Sequence, residues 1–366
     1  MGRPGEQRDV VVVGSGQSGL AVGYYLTRMG TDVLILERAA QVGVSWSRRW
    51  DSLRLFTPAR YDALPGARFR SPYWSYPGKD DVAAYLADYA ARFDLPVQTK
   101  ADAVGLDGTA GSFQVRLNDG QTVGARQVVV ATGAFGTLWI PPFAADLDAR
   151  VVQVHTDDYR NPTQIPPGRV VVVGGGSSGF QIALELALAG RDVHLSEGAR
   201  LRVLPQRPAG RDLFWWLTVT GAIHAPVTSP LGRRLRANEP VIGTTRRQLR
   251  RAGVTFRPRA TASHGDTVTF ADGTTFRPAA VVWATGYRHG DRWVTVSGAL
   301  DATGTLVVDD AATPVSGLYV LGRPWQRSRG SALLGYVRYD AHRLAQRITA
   351  EASPEALPNA TAAEPQ

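Results

Sequence analysis

The fold is decided by residues 9–39, DVVVVGSGQSGLAVGYYLTRMGTDVLILERA, and by residues 169–199, RVVVVGGGSSGFQIALELALAGRDVHLSEGA. The two stretches align without a gap at a constant offset of 160 residues, and 14 of the 31 aligned positions are identical. Each copy has a run of four valines, which is typical of a strand buried on both faces of a sheet. A glycine-rich turn, a helix and a second strand follow. The sequence therefore predicts the same strand–helix–strand unit twice.

The glycine pattern of each turn predicts a dinucleotide site. The first glycine permits the tight turn, the second lets a pyrophosphate approach the backbone, and the third allows the helix to pack closely on the strand. The start of the helix then presents free N–H groups to the phosphates. The residues predicted to contact the two dinucleotides are Gly14, Ser15, Gly16, Gln17, Ser18, Gly19, Glu37 and Arg38 in the first copy, and Gly174, Gly176, Ser177, Ser178, Gly179, Ser196 and Arg200 in the second.

The acidic residue that ends each second strand bears on which nucleotide binds. Glu37 lies 23 residues after Gly14, where a carboxylate can accept hydrogen bonds from ribose hydroxyls, and Glu197 occupies the matching position. A carboxylate suits the free 2′-hydroxyl of NADH, whereas Arg200 and Arg202 follow closely and could neutralise the 2′-phosphate of NADPH. We predict FAD at the first copy. The choice between NADPH and NADH at the second stays open, with a slight preference for NADPH.

Two later strands end in the same tripeptide. Residues 127–133 and 280–286 are each an apolar run closed by Ala-Thr-Gly. Small residues there would let the chain cross between domains close to a bound dinucleotide, although an ordinary exit from a strand also fits the pattern. The cofactor contacts predicted at these ends are Ala131, Thr132, Gly133, Thr285 and Gly286.

Composition excludes several classes of function. With 366 residues, 44% of them hydrophobic, two medium-sized domains are expected. Cysteine is absent, which excludes disulfides, thiolate nucleophiles, Cys zinc sites and the redox-active Cys pair of flavin disulfide reductases. No metal-binding cluster is predicted.

The charge and the termini predict a bacterial protein that is located in the cytoplasm. The formal net charge is +9, and nearly all basic residues are Arg, which suggests a GC-rich bacterial gene. The Arg runs at 233–236 and 246–251 lack interleaved aromatics, so we predict solvated helix faces and no nucleic-acid partner. No segment reads as a leader or a membrane span, and cytoplasmic location is expected. The Pro/Ala-rich tail, 351–366, is predicted to be disordered. Nothing in the sequence predicts the oligomeric state.

Further motifs resemble those of the class B flavin-containing monooxygenases, nearest to the plant YUCCA enzymes and their bacterial relatives. His155 matches the family's identifying sequence, but Ala149 and Val151 stand where an aromatic residue and a glycine are expected, so His155 is interpreted as a hinge residue. Pro58 replaces the Asn of animal-type members, as in the YUCCA branch. Besides the two turns, the resemblance rests on segments 43–46 (GVSW), 50–58 (WDSLRLFTP), 76–80 (YPGKD), 284–287 (ATGY), 317–322 (GLYVLG) and 329–334 (RGSALL).

The resemblance implies an α/β fold with two Rossmann-like dinucleotide-binding domains, the second inserted in the first. The expected FAD domain is discontinuous, 8–155 plus 285–350, and the NAD(P)H domain is 165–284, entered through the Pro-rich linker 161–167. The residues nearest the isoalloxazine, and hence the candidate catalytic residues, are expected to be Arg54 and Thr57. The flavin contacts that the resemblance implies are Thr57 again, together with Ser45, Trp46, Val104 and Leu333.

The resemblance also implies an oxygenation in which the flavin carries the difficult chemistry. Reduced nicotinamide would pass hydride to FAD, O₂ would then give a C4a-peroxyflavin, and one oxygen atom would pass to a small organic substrate. The oxidised group stays open among nitrogen, sulfur, a keto acid and a ketone. Two alternatives also stay open: a reductase that passes electrons to a quinone or a protein partner without oxygen insertion, and a flavin-binding protein without turnover.

Overall fold

Residues 7–352 are described in a computed structural model of the chain. The helices are α1 Gln17–Arg28, α2 Val44–Ser47, α3 Lys79–Arg92, α4 Ser177–Leu188, α5 Leu213–Val219, α6 Pro230–Ala237, α7 Arg246–Arg251 and α8 Val337–Ala352. The strands are β1 Arg8–Val13, β2 Val33–Leu36, β3 Val97–Gln98, β4 Ala103–Thr109, β5 Ser112–Leu117, β6 Thr122–Val130, β7 Thr137–Leu138, β8 Val152–His155, β9 Arg169–Val173, β10 Asp192–Ser196, β11 Val203–Leu204, β12 Val241–Ile242, β13 Thr255–Arg257, β14 Ala260–His264, β15 Thr267–Phe270, β16 Thr275–Phe276, β17 Ala280–Trp283, β18 Tyr287–Arg288 and β19 Leu318–Val320.

The first sheet is built around the first valine run. Its strand order is β3-β2-β1-β6-β5-β4, and β19 also pairs with β6. Strand β1 runs parallel to β2 and β6, whereas β5 runs antiparallel to β4 and β6. Since β19 pairs with the last three residues of β6, the chain returns to this sheet near its C-terminal end.

Both faces of this sheet are buried, as the valine run predicts. Val10 and Val12 pack into one core cluster together with residues of α1, α3 and α8, while Val11 and Val13 pack into a second cluster on the other face. Successive side chains of a strand point to opposite faces, so a strand covered on both sides must be apolar throughout. The first unit therefore has two core layers with the sheet between them.

The second valine run builds a second sheet in the same way. Its order is β13-β10-β9-β17-β8 and all four pairings are parallel. The two sheets, each with a strand–turn–helix–strand unit at its centre, confirm the predicted α/β class. Strand β8 is the edge strand here, although the expected boundary at residue 155 assigns it to the first domain. A short edge strand is placed by long-range pairing, here with β17, and its sequence alone does not identify the partner.

Two further connections join the sheets. Strands β7 and β18 pair antiparallel directly after the two Ala-Thr-Gly ends. In addition, residues 205–245, which we call the bridging segment, leave the second unit after β11 and return at α7. Leu213, Phe214 and Ile223 of this segment share a core cluster with Leu333 and Tyr336. The bridging segment therefore covers the part of the first unit that precedes α8.

The Arg-rich runs agree with the prediction except at one residue. In α6, Arg233, Arg234 and Arg236 are exposed. Arg246 at the start of α7 is only 15% exposed and forms an ion pair with Glu197. The predicted solvated face is thus wrong for Arg246, because an acidic partner from a distant strand lies within its reach.

Two expectations concern the ends of the chain and membranes. Residues 353–366 of the predicted tail lie outside the described part of the chain, and Glu351 and Ala352 still belong to α8. Between residues 7 and 352, no helix combines the length and the apolar character that crossing a membrane requires.

Candidate functional site

At Gly14 and Gly19 of the first turn, other backbone atoms lie so close that a side chain would not fit. Gly14 has a φ of 109°, and a β-carbon there would lie 2.6 Å from the carbonyl oxygen of Ala131. A β-carbon on Gly19 would overlap the carbonyl oxygen of Gly14. Gly16 differs, because no atom lies within 4 Å of the position its β-carbon would take. The turn is therefore open at the glycine that a pyrophosphate is predicted to approach.

The start of α1 suits an anion at this opening. Gly16 is the N-cap of α1, and no described side chain caps the first N–H groups of the helix. Such free N–H groups, with the positive end of the helix dipole, favour a phosphate. Beyond the turn, Glu37 accepts hydrogen bonds from Ser15 N (3.2 Å), Ser15 Oγ (2.5 Å) and Ala39 N (2.8 Å). The carboxylate is thereby held beside the turn, and Arg38 next to it is exposed.

The second turn repeats this backbone geometry. Gly174 has a φ of 127°, and a β-carbon on it would overlap the carbonyl oxygen of Ala284. A β-carbon on Gly179 would overlap the carbonyl oxygen of Gly174, whereas Gly176 again has no atom within 4 Å. Gly176 is the N-cap of α4, so Ser177 and Ser178 form the first turn of that helix. Both copies thus leave the same single opening at their middle glycine.

The acidic residues of the two copies have different partners. Glu197 accepts a hydrogen bond from Arg246 Nη1 through Oε2 at 2.6 Å, and its Oε1 is buried without a partner among residues 7–352. Arg200 and Arg202 are both exposed. The predicted contact Ser196 is buried, where its hydroxyl donates to Pro258 O at 2.8 Å and accepts from Ala260 N at 2.9 Å. That hydroxyl is engaged within the protein and is not free for a nucleotide.

The two Ala-Thr-Gly ends lie against the turns. Ala131 N donates to Val13 O at 2.9 Å, and Ala284 N donates to Val173 O at 2.8 Å. The glycines that close the tripeptides, Gly133 and Gly286, have φ values of 78° and 80°. The middle residues of the two tripeptides differ: Thr132 is exposed, whereas the hydroxyl of Thr285 donates to the carbonyl of Trp139. Each tripeptide therefore turns the chain away from the end of a central strand, directly behind a glycine turn.

Two of the expected flavin contacts, Trp46 and Leu333, lie close to Gln17 at the start of α1. Trp46 Nε1 and Gln17 Oε1 are 3.4 Å apart, and Gln17 Nε2 lies 3.4 Å from the carbonyl of Ala332, which precedes the buried Leu333. Gln17 thus connects α2, α1 and the segment before α8. Ser18 is buried, with its hydroxyl close to Gly322.

Arg54 and Val104 are exposed and lie apart from this cluster. Arg54 forms an isolated bridge with Gly78, and its guanidinium lies beside that glycine. Val104 on β4 is 49% exposed. It follows Ala101, whose N–H donates to the carbonyl of Glu37 at 2.9 Å. Val104 is therefore three residues beyond this contact with Glu37, whereas Arg54 lies at the surface of segment 50–58.

Thr57 is buried and bonded to a carboxyl group that sequence reasoning did not identify. Its hydroxyl donates to Asp62 Oδ1 at 2.5 Å, and Asp62 has no exposed surface. Asp62 Oδ2 is buried without a partner among the described residues. Burial raises the pKa of Asp62 well above its usual value, the hydroxyl of Thr57 opposes that shift, and nearby Asp212 adds to it. No local motif marks Asp62, because its burial results from packing.

The bridging segment is anchored above this pair. Asp212 caps the start of α5 by accepting from Phe214 N at 2.8 Å, and it also accepts from Tyr76 Oη at 2.7 Å and Gln206 Nε2 at 2.9 Å. The ring of Phe214 stacks on Phe56 with centroids 5.7 Å apart. Polar and aromatic contacts together hold the bridging segment against Phe56 and Tyr76.

Arg49 joins both units at the paired strands β7 and β18. Its Nη1 donates to Asp157 Oδ1 at 3.0 Å and to Tyr287 Oη at 2.9 Å, and its guanidinium lies 4.2 Å from the ring centroid of Phe135. Tyr287 and Phe135 follow the two Ala-Thr-Gly ends, so Arg49 connects the loops behind both turns. No motif identified Arg49 in the sequence, because its partners Asp157 and Tyr287 come from distant segments of the chain.

His155 lies in the same region, and its hydrogen bonds are those of a neutral imidazole ring. Its Nδ1 accepts from Asp157 N at 3.1 Å, which leaves Nε2–H to donate to Gly286 O at 3.2 Å. Burial lowers the pKa of His155, and the bond to Gly286 opposes that shift. The hinge interpretation of His155 stays a prediction. In the described ranges no group of three or more His, Asp or Glu side chains could hold a metal ion.

Comparisons with known proteins agree with this geometry. The family model described as pyridine nucleotide-disulphide oxidoreductase matches residues 11–203, a range that includes both glycine turns. An uncharacterized CzcO-like oxidoreductase of Geobacillus kaustophilus (strain HTA426) is 40% identical over 338 residues, covering 92% of this chain and 97% of the relative.

Two proteins whose names state a monooxygenase activity are also similar. Indole-3-pyruvate monooxygenase YUCCA1 of Oryza sativa subsp. japonica is 34% identical over 211 residues, covering 56% of this chain and 51% of the relative. Among solved structures, a flavin-containing monooxygenase from Stenotrophomonas maltophilia superposes with a TM-score of 0.80 at 28% identity, covering 95% of this chain and 100% of that chain.

Proposed function

The chain belongs to the pyridine nucleotide-disulphide oxidoreductase family, and we propose that it is a flavin-dependent monooxygenase, similar to the class B flavin-containing monooxygenases, that oxygenates a small organic molecule. We propose that its cofactors are FAD and a nicotinamide dinucleotide, with NADPH preferred, in keeping with the flavin-containing monooxygenase that it resembles. The proposed net reaction consumes NADPH, a proton, O₂ and the substrate, and releases NADP⁺, water and the substrate with one added oxygen atom.

One observation carries the proposal: two open glycine turns stand in a chain that has no cysteine. The family description includes disulphide reduction, which passes electrons through a protein thiol pair. Without cysteine, this chain cannot supply that pair. Electrons from a nicotinamide at the second turn would therefore have to reach O₂ or an acceptor outside the protein.

The residues present fit both cofactors. Gly16 with the start of α1 would receive the FAD pyrophosphate, and Glu37 would accept from its ribose; Gly176 with the start of α4 would receive the NADPH pyrophosphate. Bound FAD supplies hydride acceptance and activation of O₂. We retain the other predicted contacts as proposals except Ser196, whose hydroxyl is occupied. The division of the chain into 8–155 plus 285–350 and 165–284 also stays a proposal, although β8 at the end of the first range pairs with the second sheet.

This chain's own contribution is to orient the cofactors and exclude water. The stacked Phe56 and Phe214 and the bonds of Asp212 hold the bridging segment over Thr57. Dry surroundings strengthen the electrostatic interactions of a site and prevent side reactions of reactive species with water. We therefore propose Thr57, backed by the buried Asp62, as the polar group nearest the flavin. The exposed Arg54 is the less favoured of the two candidates.

The substrate is proposed by class. Aromatic side chains of Phe56, Tyr61, Phe214 and Tyr336 pack together beside Leu333, which favours an apolar or aromatic molecule. Oxidation at nitrogen, sulfur, a keto acid or a ketone fits the reaction. The rice relative's name contains indole-3-pyruvate, which is an aromatic keto acid. Aromatic keto acids are thus the first class to test.

Stopped-flow spectroscopy tests the proposal. The FAD-loaded protein is reduced with NADPH without oxygen and then mixed with O₂ and a panel of amines, sulfides, keto acids and ketones. We expect NADPH, O₂ and oxygenated product in equal amounts for at least one class. Complete conversion of O₂ to hydrogen peroxide with every class, alongside rapid reduction of a quinone, would favour the reductase instead. Absence of any flavin reduction by NADPH, and by NADH in a parallel run, would point to binding without turnover.

A further inference from the structure

A cleft of about 470 Å³ lies between α1, α8 and the bridging segment, and no residue of either glycine turn lines it. Three of its lining residues are arginines, namely Arg327, Arg338 and Arg343. Its volume is within the range of small-molecule sites, which is about 300–1,000 Å³. The proposed oxygenation uses none of these three side chains, so the cleft has no role in it.

The cleft carries more positive than negative charge. Asp310 lies 3.9 Å from Arg327 Nε and 3.1 Å from Arg343 Nη2, and Asp340 lies 3.5 Å from Arg327 Nη1. The three guanidinium groups therefore share two carboxylates. Burial raises the pKa of Asp340, which weakens its compensation of the positive charge. At least one positive charge is left in excess.

Arg338 supplies this excess charge. It forms no ion pair with a carboxylate of residues 7–352, and its hydrogen bonds go from Nη1 to Ala63 O at 3.4 Å and from Nη2 to Tyr339 Oη at 2.9 Å. These bonds use two of the five N–H donors of the guanidinium group. The hydroxyl of Tyr339 accepts in its bond with Arg338, so its own proton can be donated to a ligand.

Four rings line the cleft beside the arginines. The ring of Tyr25 on α1 lies 4.7 Å from that of His342 on α8, and the ring of His224 in the bridging segment lies 4.7 Å from that of Tyr339. Tyrosine and histidine rings combine an apolar face with a polar edge, so an organic group can pack against them.

The donors and the volume together define the class of ligand. Guanidinium groups bind carboxylate and phosphate oxygens through paired N–H groups. A phosphate monoester has three strong acceptor oxygens and nearly two negative charges at neutral pH, so it can use the donors of more than one arginine. A bare phosphate would leave most of the cleft empty, since a water molecule takes up only about 30 Å³ in the liquid. An organic group attached to the phosphate is therefore expected.

We propose that this cleft is a second ligand site, which binds a phosphate monoester. The phosphoryl group contacts Arg338 and Arg343, and the organic part packs against the rings of Tyr25 and His224. The ring of His224 also lies 5.8 Å from that of Tyr336, so the bound ester is next to the proposed substrate region. The inference does not rest on oxygen insertion.

Calorimetric titration of the FAD-loaded protein tests the proposal. NADP⁺ is present at saturation, so that neither glycine turn is open to a free phosphate. The probe is phenyl phosphate at mildly alkaline pH, where its second proton is lost, and phenyl sulfate is the singly charged ligand of the same shape. We expect saturable binding of phenyl phosphate and weaker binding of phenyl sulfate. Equal affinities, or no saturable binding at millimolar concentration, would overturn the proposal.

Variants locate the binding in the cleft. Arg338→Gln removes hydrogen bonds to a charged oxygen and should weaken phenyl phosphate roughly ten- to a hundredfold. Arg343→Gln, at a largely exposed side chain, should also weaken it and decides the question if Arg338→Gln does not fold. The matched control is Arg116→Gln on β5, which removes the same charge outside the cleft and should bind as the wild type does. Equal losses in Arg116→Gln and the cleft variants would reduce the effect to net charge and refute the site.

A second assay identifies the source of the ester, which is either a soluble molecule or a lipid headgroup. The protein is sedimented with phosphatidylcholine vesicles that contain or lack phosphatidic acid. Sedimentation that requires phosphatidic acid and is lost in Arg338→Gln supports a lipid headgroup, whereas phenyl phosphate binding without sedimentation supports a soluble ester. A failed oxygenation assay would leave this site unaffected, and a cleft that binds no ester would leave the proposed function intact.

Discussion

Replacing Gly176 with alanine should separate nucleotide binding from folding. Gly176 has a φ of −79° and a ψ of −178°, an extended conformation that alanine adopts without strain. Its β-carbon would meet no protein atom within 4 Å. Alanine also restricts the unfolded chain, so we expect the variant to equal the wild type in stability or exceed it by about 0.4–1 kcal/mol.

The same β-carbon would fill the space through which a pyrophosphate approaches the start of α4. A hydrogen bond between an N–H group and a charged oxygen contributes about 1.5–3 kcal/mol, so losing one weakens binding roughly ten- to a hundredfold. FAD should stay bound, because Gly16 and the first turn are unchanged.

Urea unfolding of the FAD-loaded protein measures stability, and quenching of flavin fluorescence by NADP⁺ measures affinity. The control is Gly179→Ala, whose β-carbon would overlap the carbonyl oxygen of Gly174 and should therefore destabilise the fold. Wild-type affinity for NADP⁺ in Gly176→Ala would refute the assignment of the open glycine. A loss of more than about 1 kcal/mol in that variant would refute the claim that the position is free of packing.

Three further predictions follow from buried groups. Burial raises the pKa of Asp62 above its unfolded value of 3.8, so the folded state retains a proton that the unfolded state releases, and the free energy of unfolding should fall as pH rises from 3.8 toward the raised pKa. Urea titrations at a series of pH values should show a weaker pH dependence of this free energy in Asp62→Asn. An unchanged dependence would contradict the assignment. Asp291 accepts two hydrogen bonds from Arg323 Nη2, at 2.7 and 2.6 Å, and the side chains of Asp291 and Arg323 are 3% and 10% exposed. Asp291→Asn should therefore lose about 3–5 kcal/mol of unfolding free energy. A loss below about 1 kcal/mol would show that the ion pair is solvated. Phe214 is fully buried, so Phe214→Ala should lower the free energy of unfolding by about 3–5 kcal/mol. The bridging segment should then be more sensitive to limited proteolysis. An unchanged cleavage pattern would contradict the anchoring role of Phe214.

The glycine turns could be predicted from sequence because their requirements are local. Gly14 needs a left-handed backbone, Gly16 needs open space, and Gly19 must let the helix reach the turn a few residues earlier. All three conditions lie within one strand–turn–helix unit. The same holds for the valine runs, since burial on both faces of a sheet requires an unbroken apolar strand.

Partners from distant segments were decided by the tertiary structure. Glu37 and Glu197 occupy matching positions in the repeat, yet one is held by a serine of its own turn and the other by Arg246, 49 residues further along the chain. Strand β8, the buried Asp62 and the contacts of Arg49 likewise depend on which elements pack together. The sequence by itself determined two dinucleotide-type units and excluded protein thiol chemistry. The tertiary structure decided which polar groups each unit leaves unpaired, because hydrogen-bond partners and burial arise from contacts between segments that no local pattern brings together.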